Sequence, residues 1–227
     1  MIFATGLSFP EAPVVLPDSS WLVVEMGPAR GCVTRISVDG QTKHVIAKTG
    51  RPNGLALHRS GFICVAESHA RSLLGLTMDG KLETMTTKCQ EESFLFPNDL
   101  CFGPDSGLYV TDSGIRFEDW VRAGKIRDDY MDAPIDGRIF RVEWNSGEGR
   151  KLDSGLRFSN GIAFGPDKNL YVSESLTGMV YRYEWKPDGT VGAREDFGNV
   201  IDLNAPEGHK GPDGMAFGRD GKLFVAV

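Results

Sequence analysis

This 227-residue chain has no C-x-x-C pair, no long apolar run and no basic cluster, and each absence removes a class of function. Its four cysteines, Cys32, Cys64, Cys89 and Cys101, are widely spaced. That spacing argues against a redox dithiol or a thiolate metal site, and Cys64 and Cys101 fall in predicted strands as small buried thiols. With a formal charge of −6 and a pI near 5.3 the chain lacks the basic face of a nucleic-acid binder, so no nucleic-acid partner is expected. No segment approaches membrane-spanning length, and the start MIFATGLSFPEAP lacks the charged and apolar regions of a signal peptide. The expectation is a cytoplasmic protein without a membrane partner. There is no G-x-S-x-G elbow for a serine triad and no phosphate-loop pattern. Of the four histidines, His44 and His58 fall on outer or loop positions, while His69 and His209 fall nearer the predicted site loops without dyad spacing.

What the chain does contain is one pattern repeated five times: PEAPVVLPDSSWLVVE, PNGLALHRSGFICVAE, PNDLCFGPDSGLYVTD, SNGIAFGPDKNLYVSE and PDGMAFGRDGKLFVAV. Aligned, the lead residues are Glu11, Asn53, Asn98, Asn160 and Asp213, spaced 42, 45, 62 and 53 positions apart. Fourteen residues after each lead stand Glu25, Glu67, Asp112, Glu174 and Val227. Periods of about 40–50 residues holding several short strands mark propeller blades. Each repeat reads as a short apolar strand, a turn built on Pro-Asp, Asp-Ser or Ser-Gly, and an aromatic or β-branched strand. A third strand ending at Asp-Gly and a polar, alternating fourth follow. No stretch sustains helical periodicity, and 28 glycines and 12 prolines punctuate throughout.

The predicted fold is a single all-β domain, a six-bladed propeller of four-stranded blades. The units are roughly 9–50, 51–94, 95–156, 157–208 and 209–227. The fifth repeat stops after its second strand, so the sequence reads as truncated by on the order of 70 residues. On that reading MIFATGL would close the ring by pairing with the final blade. Without that partner Ile2, Phe3 and Leu7 would present an apolar edge prone to association. The third repeat is long because residues 113–136 intervene between its second and third strands. Carrying Arg116, Phe117, Trp120, Arg122, Arg127 and Tyr130, that segment reads equally as a lid or as an ordinary surface loop.

Blades around an axis bring equivalent positions together, so one oxygen-bearing side chain per repeat converges on a centre. Glu11, Asn98, Asn160 and Asp213 supply two charges and two amide oxygens, a donor set for a hard divalent cation. Having no His or Cys, it is unlike a zinc or copper site. The alternative is that Asn-Gly and Asp-Gly are turns, which explains positions 53, 160 and 213 but not Glu11. Asn53 suits substrate or water better than an off-axis ion. Asp99 stands where the other repeats have Gly, and reads either as a second acid near the cation or as a turn residue. The acids at the fourteen-residue offset suit turn caps or Arg partners between blades, with Glu67 and Asp112 the best of them for the site.

On these elements the sequence resembles the SMP-30/gluconolactonase/luciferin-regenerating-enzyme family of six-bladed propellers. The resemblance rests on F-P-E-A-P at 9–13, R-P-N-G-L at 51–55, F-P-N-D-L and G-P-D-S-G-L-Y-V-T-D within 96–112, S-N-G-I-A-F at 159–164, and G-P-D-G-M-A-F with D-G-K-L-F-V-A within 211–226. It implies one divalent cation in the central tunnel, calcium first, with Zn²⁺, Mn²⁺ or Mg²⁺ as substitutes. Glu11, Asn160 and Asp213 would be direct ligands, Asn98 a direct or water-linked one, and Asp99 a substrate contact. The activity implied is hydrolysis of a small hydroxylated, sugar-type lactone. Asp213 and Asp99 are the catalytic candidates, and Asn53, Asn98, Asp99 and Glu67 the substrate-binding ones. Two other readings stay open: phosphotriester hydrolysis on the same scaffold, and a calcium-binding propeller that catalyses nothing.

Overall fold

The computed structural model describes residues 2–201 and 211–227. The chain is a β-propeller with four antiparallel, four-stranded sheets in sequential strand order. They comprise Pro10–Val15, Trp21–Glu25, Cys32–Ile36 and Lys43–Lys48; Pro52–Leu57, Ile63–Glu67, Ser72–Leu76 and Leu82–Thr86; Pro97–Phe102, Leu108–Asp112, Gly137–Val142 and Gly149–Leu156; and Ser159–Phe164, Leu170–Glu174, Met179–Tyr183 and Glu195–Asn199. A fifth sheet has two strands, Met215–Phe217 and Leu223–Val225. The described residues therefore hold four complete blades and a hairpin, where six blades are expected from the sequence. The segment ahead of Pro10 forms no strand among the described residues; instead the Phe3 ring rests on Trp21, with centroids 5.8 Å apart.

Second strands such as ICVAE and LYVTD are buried at every position because each is covered on both faces by neighbouring blades. Fourth strands such as KHVIAK are mostly exposed, which explains their polar alternation. The core is accordingly a series of layers between blades. Leu22, Val24 and Val33 meet Ile63, Val65 and Leu74; Ala66 and Leu73 meet Val110 and Phe140; Tyr109 and Ile139 meet Val172 and Tyr183. All four cysteines are free, and Cys32, Cys64 and Cys89 are buried. Among the described residues no helix is long and apolar enough to cross a membrane.

The 113–136 segment folds over the top of the third and fourth blades. It has one turn of helix, Phe117–Trp120, and a small hairpin, Val121–Arg122 with Lys125–Ile126. Trp120, Ile115 and Ile135 bury against Phe96 and Phe158, and the Trp120 and Phe158 rings lie 4.6 Å apart. This core holds the segment in place as ordered structure above the axis.

Candidate active site at the propeller axis

Each complete blade has a register break at its lead residue. In the third blade Asn98 and Asp99 together face Thr111, and in the fourth Asn160 and Gly161 together face Ser173. The first blade breaks between Glu11 and Val14 and the second between Pro52 and Gly54. A bulge bends a strand and re-aims a side chain, and bulges gather at active sites. Here each one lies inside the first strand, so the Asn-Gly pairs at 53 and 160 are not turns. The glycines are required by closeness: a Cβ on Gly54 would stand 2.7 Å from the Asn98 carbonyl oxygen, and one on Gly161 2.4 Å from that of Asp213. Inner strands of adjacent blades approach too tightly for a side chain there.

Glu11, Asn53, Asn98, Asn160 and Asp213 line one cavity of about 410 Å³. Asn98 and Asn160 are 4% and 8% exposed, which leaves little of either beyond the face it turns to the cavity. Their amides are oriented by serines. The Ser113 hydroxyl donates to the Ser159 carbonyl (3.1 Å) and the Ser175 hydroxyl to that of Pro212 (2.7 Å). Each hydroxyl hydrogen being engaged, the serine can only accept from its asparagine: Asn98 Nδ2 at 2.8 Å and Asn160 Nδ2 at 3.1 Å. That fixes Nδ2 on the serine and turns Oδ1 away from it. Asn53 is held differently, donating to Asn98 Oδ1 at 2.9 Å and accepting from Arg51 Nη1 at 3.3 Å.

The electrostatics are lopsided. Burial, then the nearby charges of Asp213 and Asp99, pushes the Glu11 carboxyl from 4.5 up to about 7, and Arg51 only partly opposes this. Asp99 is also pushed up to about 7, chiefly by burial, although its carboxylate accepts the backbone N–H groups of Leu100 (2.8 Å) and Ile162 (3.2 Å). It lines not the ring cavity but an adjoining cleft between the first blade and the fifth sheet, which Glu11 and Asp213 also line. Arg51, half-buried in the wall of the ring cavity, has its guanidinium 4.1 Å from the centre of the Phe117 ring. Burial lowers its pKa, while Glu67 and Glu11 raise it.

Glu67 is placed elsewhere. It is fully buried and accepts the N–H groups of Arg51 (2.9 Å) and His69 (3.0 Å). The other offset acids do the same in their own blades. Glu25 accepts from Ser8 N, Asp112 from Leu95 N and Glu174 from Arg157 N. Their arginine contacts are also within the blade, Glu25 to Arg30 at 2.7 Å and Asp112 to Arg138 at 3.0 Å, rather than between blades. His209 lies outside the described residues.

Three features escape a reading by repeat alignment alone. Ser68, Ser113 and Ser175 follow the offset acids at one fixed position, a visible repeat whose meaning depends on which amide they face. Thr111 and Ser173, one position before those acids, donate to the carbonyls of Asn160 and Asp213 in the next blade. Arg51, two residues before Asn53, brings the cavity its positive charge.

The donor set fits a hard cation that accepts neutral oxygens: two carboxylates, Glu11 and Asp213, with the Asn160 and Asn98 amides. Among the described residues no three His, Cys, Asp or Glu side chains gather tightly enough to hold an ion by themselves, so the amides would be indispensable to it.

Three solved propellers show the same architecture. A gluconolactonase of Xanthomonas campestris aligns at 20% identity over 98% of this chain and 71% of that one, with a TM-score of 0.78. A luciferin-regenerating enzyme aligns at 16% identity over 97% and 69%, TM-score 0.75. Regucalcin of Agrobacterium tumefaciens, a calcium-binding protein, aligns at 17% identity over 97% and 68%, TM-score 0.72. At such identities the likeness shows the fold alone. No curated protein matches in sequence. Residues 9–227 match the family described as SMP-30/Gluconolactonase/LRE-like region, and the chain belongs to that family.

Proposed function

We propose that the chain is a lactonase that opens a small hydroxylated lactone at the ring cavity with the aid of one divalent cation. The observation that carries this reading is the meeting of Glu11, Asn53, Asn98, Asn160 and Asp213 in one cavity of about 410 Å³. Family membership and the gluconolactonase neighbour support the reaction class, and the regucalcin neighbour supports calcium. Glu11, Asn160 and Asp213 would hold the ion, with Asn98 beside them. When bound, it supplies Lewis acidity to the lactone carbonyl.

The chain's own part is binding and proton transfer. Asn53 and Asn98 meet the substrate hydroxyls. Asp213 takes a proton from the attacking water as the new C–O bond forms at the carbonyl carbon. The ring C–O bond then breaks, and the same proton passes to the departing ring oxygen, leaving a hydroxy acid. Asp99, from the adjoining cleft, raises the proton affinity of Glu11 through its charge.

The test is hydrolysis of a sugar lactone by wild type and Asp213→Asn, each with calcium and with excess chelator. A fall in kcat of roughly 10²–10⁴ for the variant is expected, with folding intact. Wild-type turnover in Asp213→Asn, or full turnover in chelator with no ion found by elemental analysis, would refute the proposal. A phosphotriester run in parallel, and a melting shift by calcium without turnover of any substrate, identify the two rival activities.

A further inference from the structure

Arg51 is out of place in a site built only for a cation and a neutral sugar. Its guanidinium lines the ring cavity, and among the described residues no carboxylate lies within ion-pair distance of it. Its side-chain hydrogen bonds both leave from Nη1, to Asn53 Oδ1 at 3.3 Å and to Ser68 Oγ at 2.8 Å. Nε and Nη2 carry further N–H groups with no protein acceptor among the described residues. The plane is held by aromatic rings, Phe117 at 4.1 Å and Phe96 at 5.5 Å, and Ser68 in turn donates to the Arg51 carbonyl at 2.9 Å. A half-buried arginine fixed at one end and open at the other is poised for a planar anion.

Its position defines where that anion sits. A second cleft of about 800 Å³ runs outward from the ring between the first blade, His69 and the 113–136 segment. Arg51, Met26 and Val121 line both the cleft and the ring cavity. Arg51 therefore stands at the junction, with the acid-and-amide ring on one side and the open cleft on the other. A ligand whose carbonyl lies among the ring residues would extend its far end past Arg51.

We propose that Arg51 is a specificity-determining residue that selects lactones carrying a second, ionised carboxylate remote from the lactone carbonyl, such as aldarolactones, over neutral aldonolactones. This rests on the lactonase reading. The carboxylate is held by Nε and Nη2 in the plane set by Phe117, and ring opening leaves a dicarboxylate whose far end Arg51 still holds. No bond to Arg51 forms or breaks.

The experiment compares kcat/KM for an aldarolactone and an aldonolactone of the same ring size, in calcium-loaded wild type, Arg51→Met, Arg51→Lys and Phe117→Leu. Wild type is expected to favour the aldarolactone by at least tenfold. Arg51→Met should lose roughly 10- to 100-fold more on the aldarolactone than on the aldonolactone, the range of one charge-assisted contact, with any loss shared by both substrates coming from the contact of Arg51 with Asn53. Arg51→Lys restores part of the loss and Phe117→Leu, which frees the plane, gives a smaller selective loss. An arginine that served only to hold Asn53 would lower both substrates together, and that result overturns the proposal, as does a wild-type preference for the neutral lactone.

Calorimetric binding of the aldarate and aldonate products needs no turnover and separates this proposal from the lactonase reading. If neither lactone is hydrolysed but aldarate binds at least tenfold tighter than aldonate, and only in proteins that keep Arg51, the anion subsite stands and the activity does not. Equal binding of the two products overturns the subsite. Where Arg51→Met does not fold, the same comparison in Phe117→Leu decides.

Discussion

Two sets of oxygen-bearing side chains run around this propeller, each drawn from four of its five sheets, and they do opposite things. The outer one, Glu25, Glu67, Asp112 and Glu174, is buried and answered by backbone N–H groups of its own blade. The axial one, Glu11, Asn98, Asn160 and Asp213, meets in a cavity where the carboxyl of Glu11 is pushed up to about 7. Repetition alone does not tell a ligand from a latch. Partners do: a carboxylate whose lone pairs are filled by the chain has nothing left for a ligand, and one facing other carboxylates has a charge still to be met.

The sharpest way to break the comparison is to remove one acid from each set. Asp112→Ala takes from the buried Arg138 its closer carboxylate, leaving Glu92 at 3.5 Å, and leaves the N–H groups of Leu95 and Gly114 without that acceptor. Denaturant unfolding is expected to show a loss of about 3–5 kcal/mol. Asp213→Asn should lose far less stability in the same measurement while it loses turnover. Equal destabilisation by the two would erase the distinction between the sets.

A smaller effect tests the oriented amides. Ser175→Ala removes the acceptor that fixes Asn160 Nδ2, so the amide is free to flip. Calcium titration is expected to show affinity reduced roughly 10- to 100-fold, the usual cost of losing an orienting neighbour. Unchanged affinity would mean that Asn160 does not serve through Oδ1.

The smallest effect is a pH dependence of sign opposite to that of ordinary carboxylates. Glu11 binds its proton more tightly folded, at about 7, than at its ordinary 4.5, and Asp99 likewise at about 7 against 3.8. Their contribution to stability is full below the unfolded values and disappears as pH rises through 7. Chelated protein should therefore unfold at higher denaturant at pH 5.5 than at pH 8, by roughly 1–2 kcal/mol. Calcium should reverse the trend, because the ion competes with those protons. A chelated protein more stable at pH 8 would show that the axial acids are already neutralised within the chain.

Much of this was legible in the sequence because a repeat states the same instruction several times. Period, strand order and the axial set Glu11, Asn53, Asn98, Asn160 and Asp213 follow from alignment of the repeats. What was not legible depends on distances between blades. Gly54 and Gly161 look like turn glycines, and only the approach of the next inner strand shows why a Cβ cannot be there. Glu67, one of the two offset acids that suit the site best, shows itself a latch only when the N–H groups of Arg51 and His69 are seen on it. Arg51 carries no signal shared by the other repeats, and its role depends on the 113–136 segment laying Phe117 over it.

The serine hydroxyls of Ser113 and Ser175 each tie an amide to the carbonyl of the following blade. An amide held in this way is aimed by the neighbour's backbone as much as by its own strand. A shift of one blade against the next would rotate the oxygen that faces the axis. Affinity at the centre is then a gauge of spacing at the periphery. A substitution in an interblade layer, far from any ligand, could retune the site through these two hydroxyls without touching the ring at all.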